Sequence, residues 1–199
     1  MTVTVAGLYD SYDTAVRVVG DLEAAGVRTE DISIVASDHE GAEPTVAFDD
    51  LTSNAGTGGS IGAVVGGGAG LLAGLGIIAI PGLGPVVAAG WLAAAALGVV
   101  AGGAAGGIIG ALTSSGVEED YAQVYAEGVR RGKSLVTARV SDVQADVARA
   151  IINGYGAANP EALVDEYRSS GWNRFDENGP PYSRADAARN IAAQSRPPL

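Results

Sequence analysis

The stretch Thr52–Val117 reads TSNAGTGGSIGAVVGGGAGLLAGLGIIAIPGLGPVVAAGWLAAAALGVVAGGAAGGIIGALTSSGV and contains no charged side chain. Glycines recur in it at four-residue steps, first Gly62, Gly66, Gly70 and Gly74, then Gly98, Gly102, Gly106 and Gly110. A four-residue step stacks positions along one helix face, so each series predicts a helix with a side-chain-free stripe. Between the series lies Pro81-Gly82-Leu83-Gly84-Pro85, whose Pro81, Gly82, Gly84 and Pro85 are suited to stop a helix and reverse the chain. The pattern predicts a glycine-zipper helical hairpin, Ile61–Ile80 and Val86–Leu112, in which the glycine faces let two backbones approach closely. Each glycine costs a helix about 1 kcal/mol relative to alanine, so the eight carry roughly 8 kcal/mol that close packing must offset. A flexible linker would favour Ser, Thr and charge, whereas this stretch interleaves glycine with Ile, Leu, Val and Ala.

Outward from this stretch, two similar halves flank it. Thr2–Tyr9 alternates and is rich in Val and Thr, which predicts a strand. Ala15, Val16, Val19, Leu22 and Ala25 follow at helical spacing behind cap candidates Asp10 to Asp13, and Gly26 ends that helix. Asp31–Ser37 predicts a second strand. After the hairpin, Glu118–Arg131 predicts an amphipathic helix with Tyr121, Val124, Tyr125 and Val129 on one face. Ser134–Val140 predicts a strand. Asp142–Tyr155 predicts a helix on the spacing of Val143, Val147 and Ile151, and Ala162–Glu166 an edge strand.

Two strand-helix-strand units predict an α+β, ferredoxin-like domain: a four-stranded antiparallel sheet with both helices on one face, interrupted at its midpoint by the Gly/Ala-rich helical hairpin. The corresponding division is residues 1–50 for the first half, 51–117 for the hairpin, 118–166 for the amphipathic helix and second half, and 167–199 for a C-terminal extension. In that extension Trp172, Phe175 and Tyr182 are candidates to pack back on the sheet or to dock on a neighbouring subunit.

Gly7-Leu8-Tyr9-Asp10, Leu22-Glu23-Ala24-Ala25-Gly26, Asp31-Ile32-Ser33-Ile34-Val35, the Ile80–Pro85 turn and Tyr125-Ala126-Glu127-Gly128-Val129-Arg130-Arg131-Gly132 together resemble a known family. It is the bacterial general stress protein 17M-like family, related to heat-induced stress proteins of the YflT type, and the resemblance covers roughly residues 3–155. It implies an association with stress response and a glycine-zipper, membrane-like segment, and it brings no catalytic residues with it.

Composition narrows the chemistry. A net charge of −11 leaves no basic patch to neutralise phosphates, which argues against nucleic acid as a partner. The chain has no cysteine, so disulfides and thiolate ligation are out. His39, the one histidine, stands beside Asp38 and Glu40 in a segment that reads as a solvated loop, so neither a Ser-His-Asp triad nor a metal site is expected. Gly56–Gly62 lacks the lysine of a phosphate-binding loop. Glu118, Glu119 and Asp120 start a predicted helix and Arg130, Arg131 and Lys133 end it, as the macrodipole favours. No catalytic, cofactor-binding or metal-ligating residue is expected, nor a small-molecule substrate. The start of the chain has no basic segment or long apolar run of the signal-peptide kind, so a cytoplasmic setting is expected.

The uncharged hairpin cannot remain exposed on a monomer. Each predicted helix is long enough to cross a hydrocarbon core, and small residues at four-residue spacing suit packing in a bilayer. Acidic flanks and the absence of a paired aromatic belt dilute the bilayer reading, which still stands ahead of its rival, a homo-oligomer whose hairpins bury one another. The expected function is a non-enzymatic, stress-associated protein that self-associates or anchors at the cytoplasmic membrane face through the hairpin. A ligand-sensing ferredoxin-like module, a soluble scaffold and a pore former are the alternatives.

Overall fold

A computed structural model describes residues 2–37, 76–80, 83–95, 107–176 and 178. The described elements are β1 (Thr2–Tyr9), α1 (Tyr12–Ala24), a 3-10 turn (Thr29–Asp31), β2 (Ile32–Ser37), β3 (Gly76–Ile80) and β4 (Gly84–Gly90). After a helical turn at 91–95 come α2 (Gly107–Ser114), α3 (Glu119–Arg130), β5 (Ser134–Ser141), α4 (Asp142–Gly154) and α5 (Pro160–Ser169). The five strands form one sheet in the order β1-β5-β2-β4-β3, with every neighbouring pair antiparallel. The chain is thus α+β.

The first half folds as its pattern predicts. Ser11 caps α1 by accepting the Thr14 N–H at 3.2 Å, and Ala15, Val18, Val19 and Leu22 form its buried face. The helix closes at Ala25 and Gly26, where Val27 N–H returns to the Leu22 carbonyl at 3.0 Å. β5 then inserts between β1 and β2, so the two strands joined through α1 do not touch as neighbours.

Three expectations are overturned. First, the residues on either side of the expected turn are strands: Gly76–Ile80 and Gly84–Gly90 pair with each other from Gly76↔Ala88 to Ile80↔Gly84. β4 also pairs with β2, so both helices predicted through these residues, Ile61–Ile80 and Val86–Leu112, give way to strand there. The physical reason is β-branched content: Ile77, Ile78, Ile80, Val86 and Val87 bracket the turn, and β2 offers an open ladder for Val86 to Gly90. Second, the segment from 76 to 117 is not a separate hairpin where it is described. Leu83, Val86, Leu92, Ile108 and Leu112 share a core with Leu8 and Leu135. Third, Ala162–Glu166 lies within α5, so no fourth strand completes the second half. Asn159 accepts N–H bonds from Glu161 and Ala162 at 2.8 and 3.2 Å, and Pro160 opens the helix at the position where a missing N–H costs nothing.

Helices cover both faces of the sheet. On one face α1 and α4 pack over Val5, Tyr9, Ile32, Ile34, Val136 and Ala138. On the other, α2, α3 and α5 enclose Leu8, Val35, Val86, Ala88 and Leu135. This explains why β2 and most of β5 are buried at successive positions, where a sheet with one wet face would alternate. α4 uses Ala145, Ala148 and Ile152 as its inner face and leaves Val143 and Val147 exposed by 90% and 53%. The valine spacing marks the wrong side because small alanines let α4 lie close to the sheet. A Cβ on Gly7 would meet the Ile152 side chain.

Candidate functional site

The expected packing residues are mostly beyond view. Gly62, Gly66, Gly70, Gly74, Gly98, Gly102 and Gly106 lie outside the described residues, as do Pro81, Gly82, His39 and Tyr182. Gly110 falls in α2, and Gly84 and Pro85 in β4. Among the described residues, close approach is seen at two further glycines. Gly90 has φ +90°, and a Cβ there would collide with the Ile32 carbonyl and Ser33 Oγ. Gly128 on α3 leaves room for Leu8 of β1.

The most structured polar group sits on the α3–α5 side. Glu127 is fully buried, and its carboxylate accepts from Arg130 Nε and Nη2 at 2.8 and 2.9 Å and from Arg131 Nε at 2.6 Å. The (i, i+3) and (i, i+4) spacing puts both guanidinium groups on the carboxylate's side of α3. Arg131 then lies over the Tyr167 ring, 4.1 Å from its centroid, and reaches Ser170 Oγ at 3.3 Å. Tyr167 meets Trp172 edge to face, with centroids 5.8 Å apart at 78°. An acid buried on α3 therefore fixes the ring positions of α5 and the chain beyond it. Sequence alone placed the two arginines at a helix end; that Glu127 points inward with them was missed, and its position one turn before Arg131 was the available signal.

Beside this network runs a cleft of about 300 Å³ between α3 and α5. Glu118 and Asp120 line it from the start of α3, Glu161 and Asp165 from α5, and Trp172 and Tyr121 supply aromatic surface. Tyr121 donates its hydroxyl to Glu161 Oε1 at 3.2 Å; this bond, with the charge of Glu161 behind it, raises the phenol's pKa. Deeper in the layer, burial pushes Tyr125 up to about 12, with a smaller push from Tyr121, and burial also raises Tyr167. Trp172 and Phe175 pack into the α3–α5 core, the first of the two placements open to the extension's aromatics. The Nε1 of Trp172 has no hydrogen-bond partner among the described residues.

Lys133 pairs with Asp10, which uses the last member of the basic cluster locally. Among the described residues no three His, Cys, Asp or Glu side chains come together to hold a metal ion. No helix among them is long and apolar enough to cross a membrane. Comparison with family models, with curated proteins and with solved structures finds no match to this chain.

Proposed function

We propose that this chain is a non-enzymatic protein that self-associates through its uncharged central stretch and displays the acidic α+β domain which that stretch helps to build. The observation that carries the proposal is β3. It closes one end of the sheet, and its sequence Gly-Ile-Ile-Ala-Ile has neither charge nor proline. Sheets normally blunt such an edge with lysine, proline or a bulge, and an unblunted edge invites another strand. No described strand pairs with the outer side of β3. The partner proposed for it is a second copy of the chain.

Self-association as a particle is favoured here over a membrane hairpin. With Gly76–Ile80 committed to the sheet, even a continuous helix over 61–75 would extend only about 22 Å at 1.5 Å per residue. A hydrocarbon core is about 30 Å thick. The role in stress response suggested by the sequence resemblance belongs to the same proposal, as does display on the cytoplasmic side. Measuring the mass of the full-length protein by analytical ultracentrifugation without detergent tests it: a discrete oligomer is expected. A monomer at micromolar concentration, or recovery in the membrane fraction alone, would overturn it.

A further inference from the structure

We infer that β3 pairs with β3 of a second copy, antiparallel across a two-fold axis at Ile78, so that two sheets run on as one. The inference rests on the self-association proposed above and gives it a geometry. In an antiparallel ladder, successive residues aim their N–H and C=O alternately at one neighbouring strand and at the other. Ile80 faces β4, since its carbonyl accepts the Leu83 N–H at 3.0 Å. Pro85, which has no N–H to give, stands opposite Ala79, where no ladder bond is then lost. Gly76, Ile78 and Ile80 therefore bond to β4, while Ile77 and Ala79 turn their backbone groups outward. Setting Ile77 opposite Ala79 of the second copy matches each outward N–H with a carbonyl, and one surface serves both copies.

The other edge of the sheet explains why the second copy offers β3 and not β1. Carried through the registers, the same alternation leaves Thr4, Ala6 and Leu8 facing outward from β1. The Leu8 carbonyl agrees with this, because it accepts the Ala158 N–H, from outside the sheet, at 2.8 Å. That bond marks where the chain passes round the β1 edge. Ala157 packs into the core shared by α1 and α4, and Ala158 into the core of the opposite face. A strand laid along β1 would collide with this crossing at Leu8, which blocks a head-to-tail stack of β1 on β3. Unlike edges joined head to tail build an open fibre, whereas like edges across a two-fold close on themselves. Among the described residues, no such crossing caps β3.

Analytical ultracentrifugation of the full-length protein, with amide hydrogen exchange followed residue by residue by NMR, tests the pairing. The wild type should sediment as an even number of chains. Ala79→Pro removes an outward N–H at a place where an edge strand admits proline. It should weaken association about tenfold or more and leave the urea midpoint of the domain little changed. A second reading needs no variant: the wild-type Ile77 and Ala79 amides should exchange about tenfold or more slowly in the oligomer than after dilution to monomer. An odd number of chains, an oligomer that Ala79→Pro leaves intact, or protection of these amides that survives dilution would each overturn the pairing while self-association stands. A wild-type monomer would overturn both.

Discussion

The backbone N–H of Leu92 donates to the buried Ser33 Oγ at 2.8 Å, tying the helical turn after β4 to the second residue of β2. Gly90 stands opposite Ser33 in the ladder with φ +90°, so the chain can leave the sheet and present that N–H at once. Ser33→Ala is expected to cost about 1–3 kcal/mol, the penalty for an unsatisfied buried donor. Gly90→Ala should cost at least about 2 kcal/mol, since left-handed strain adds to the collision with Ile32. Urea unfolding of each variant checks both values.

Glu127 should be among the most sensitive polar positions of the domain. Glu127→Ala removes the carboxylate that Arg130 and Arg131 share and is expected to cost about 3–5 kcal/mol. Lys133→Ala breaks an ion pair whose acid, Asp10, is largely exposed, and should cost less than about 1 kcal/mol. Comparing the two urea midpoints tests whether burial sets the difference.

Stability should fall in alkali through the buried tyrosines. Tyr125 keeps its proton to about pH 12 in the fold, against about 10 in the unfolded chain. Its contribution is complete below pH 10 and is lost as pH rises towards 12, because the unfolded state then binds fewer protons. The loss amounts to roughly 3 kcal/mol over that window. Tyr125→Phe should flatten this part of the profile, as followed by urea unfolding at stepped pH.

The two sides of α4 should respond in opposite ways to substitution. Val143→Lys, at an exposed position, is expected to change stability by no more than about 0.5 kcal/mol. Ala148→Leu overfills the contact with the sheet and should cost about 1–3 kcal/mol. Thermal unfolding of the pair is sufficient to distinguish them.

Where local signals agreed, the sequence could be read directly. α1, α3, β1, β2 and β5 lie close to their expected bounds, because period, caps and stop residues all point the same way there. Legibility failed where two periods competed. The four-residue glycine series dominates Thr52–Val117, yet between Gly74 and Gly98 the series lapses and Ile77, Ile78, Ile80, Val86 and Val87 flank a turn, which is a hairpin signal. At Ala162–Glu166, the Asn159-Pro160 pair was a helix start that outweighed a short apolar run. The cleft was not legible at all, because its acids come from two helices about forty residues apart and its Trp172 from beyond them.

Backbone chemical shifts and cross-strand NOEs of the isotope-labelled full-length protein bear on the folding of Gly84–Gly90 more than any other observation. If the uncharged stretch joins the sheet, these residues show strand shifts, with NOEs linking Val35 to Ala88 and Ile78 to Val86. Helical shifts running from Val86 towards Leu112, without contacts to Val35, would contradict it.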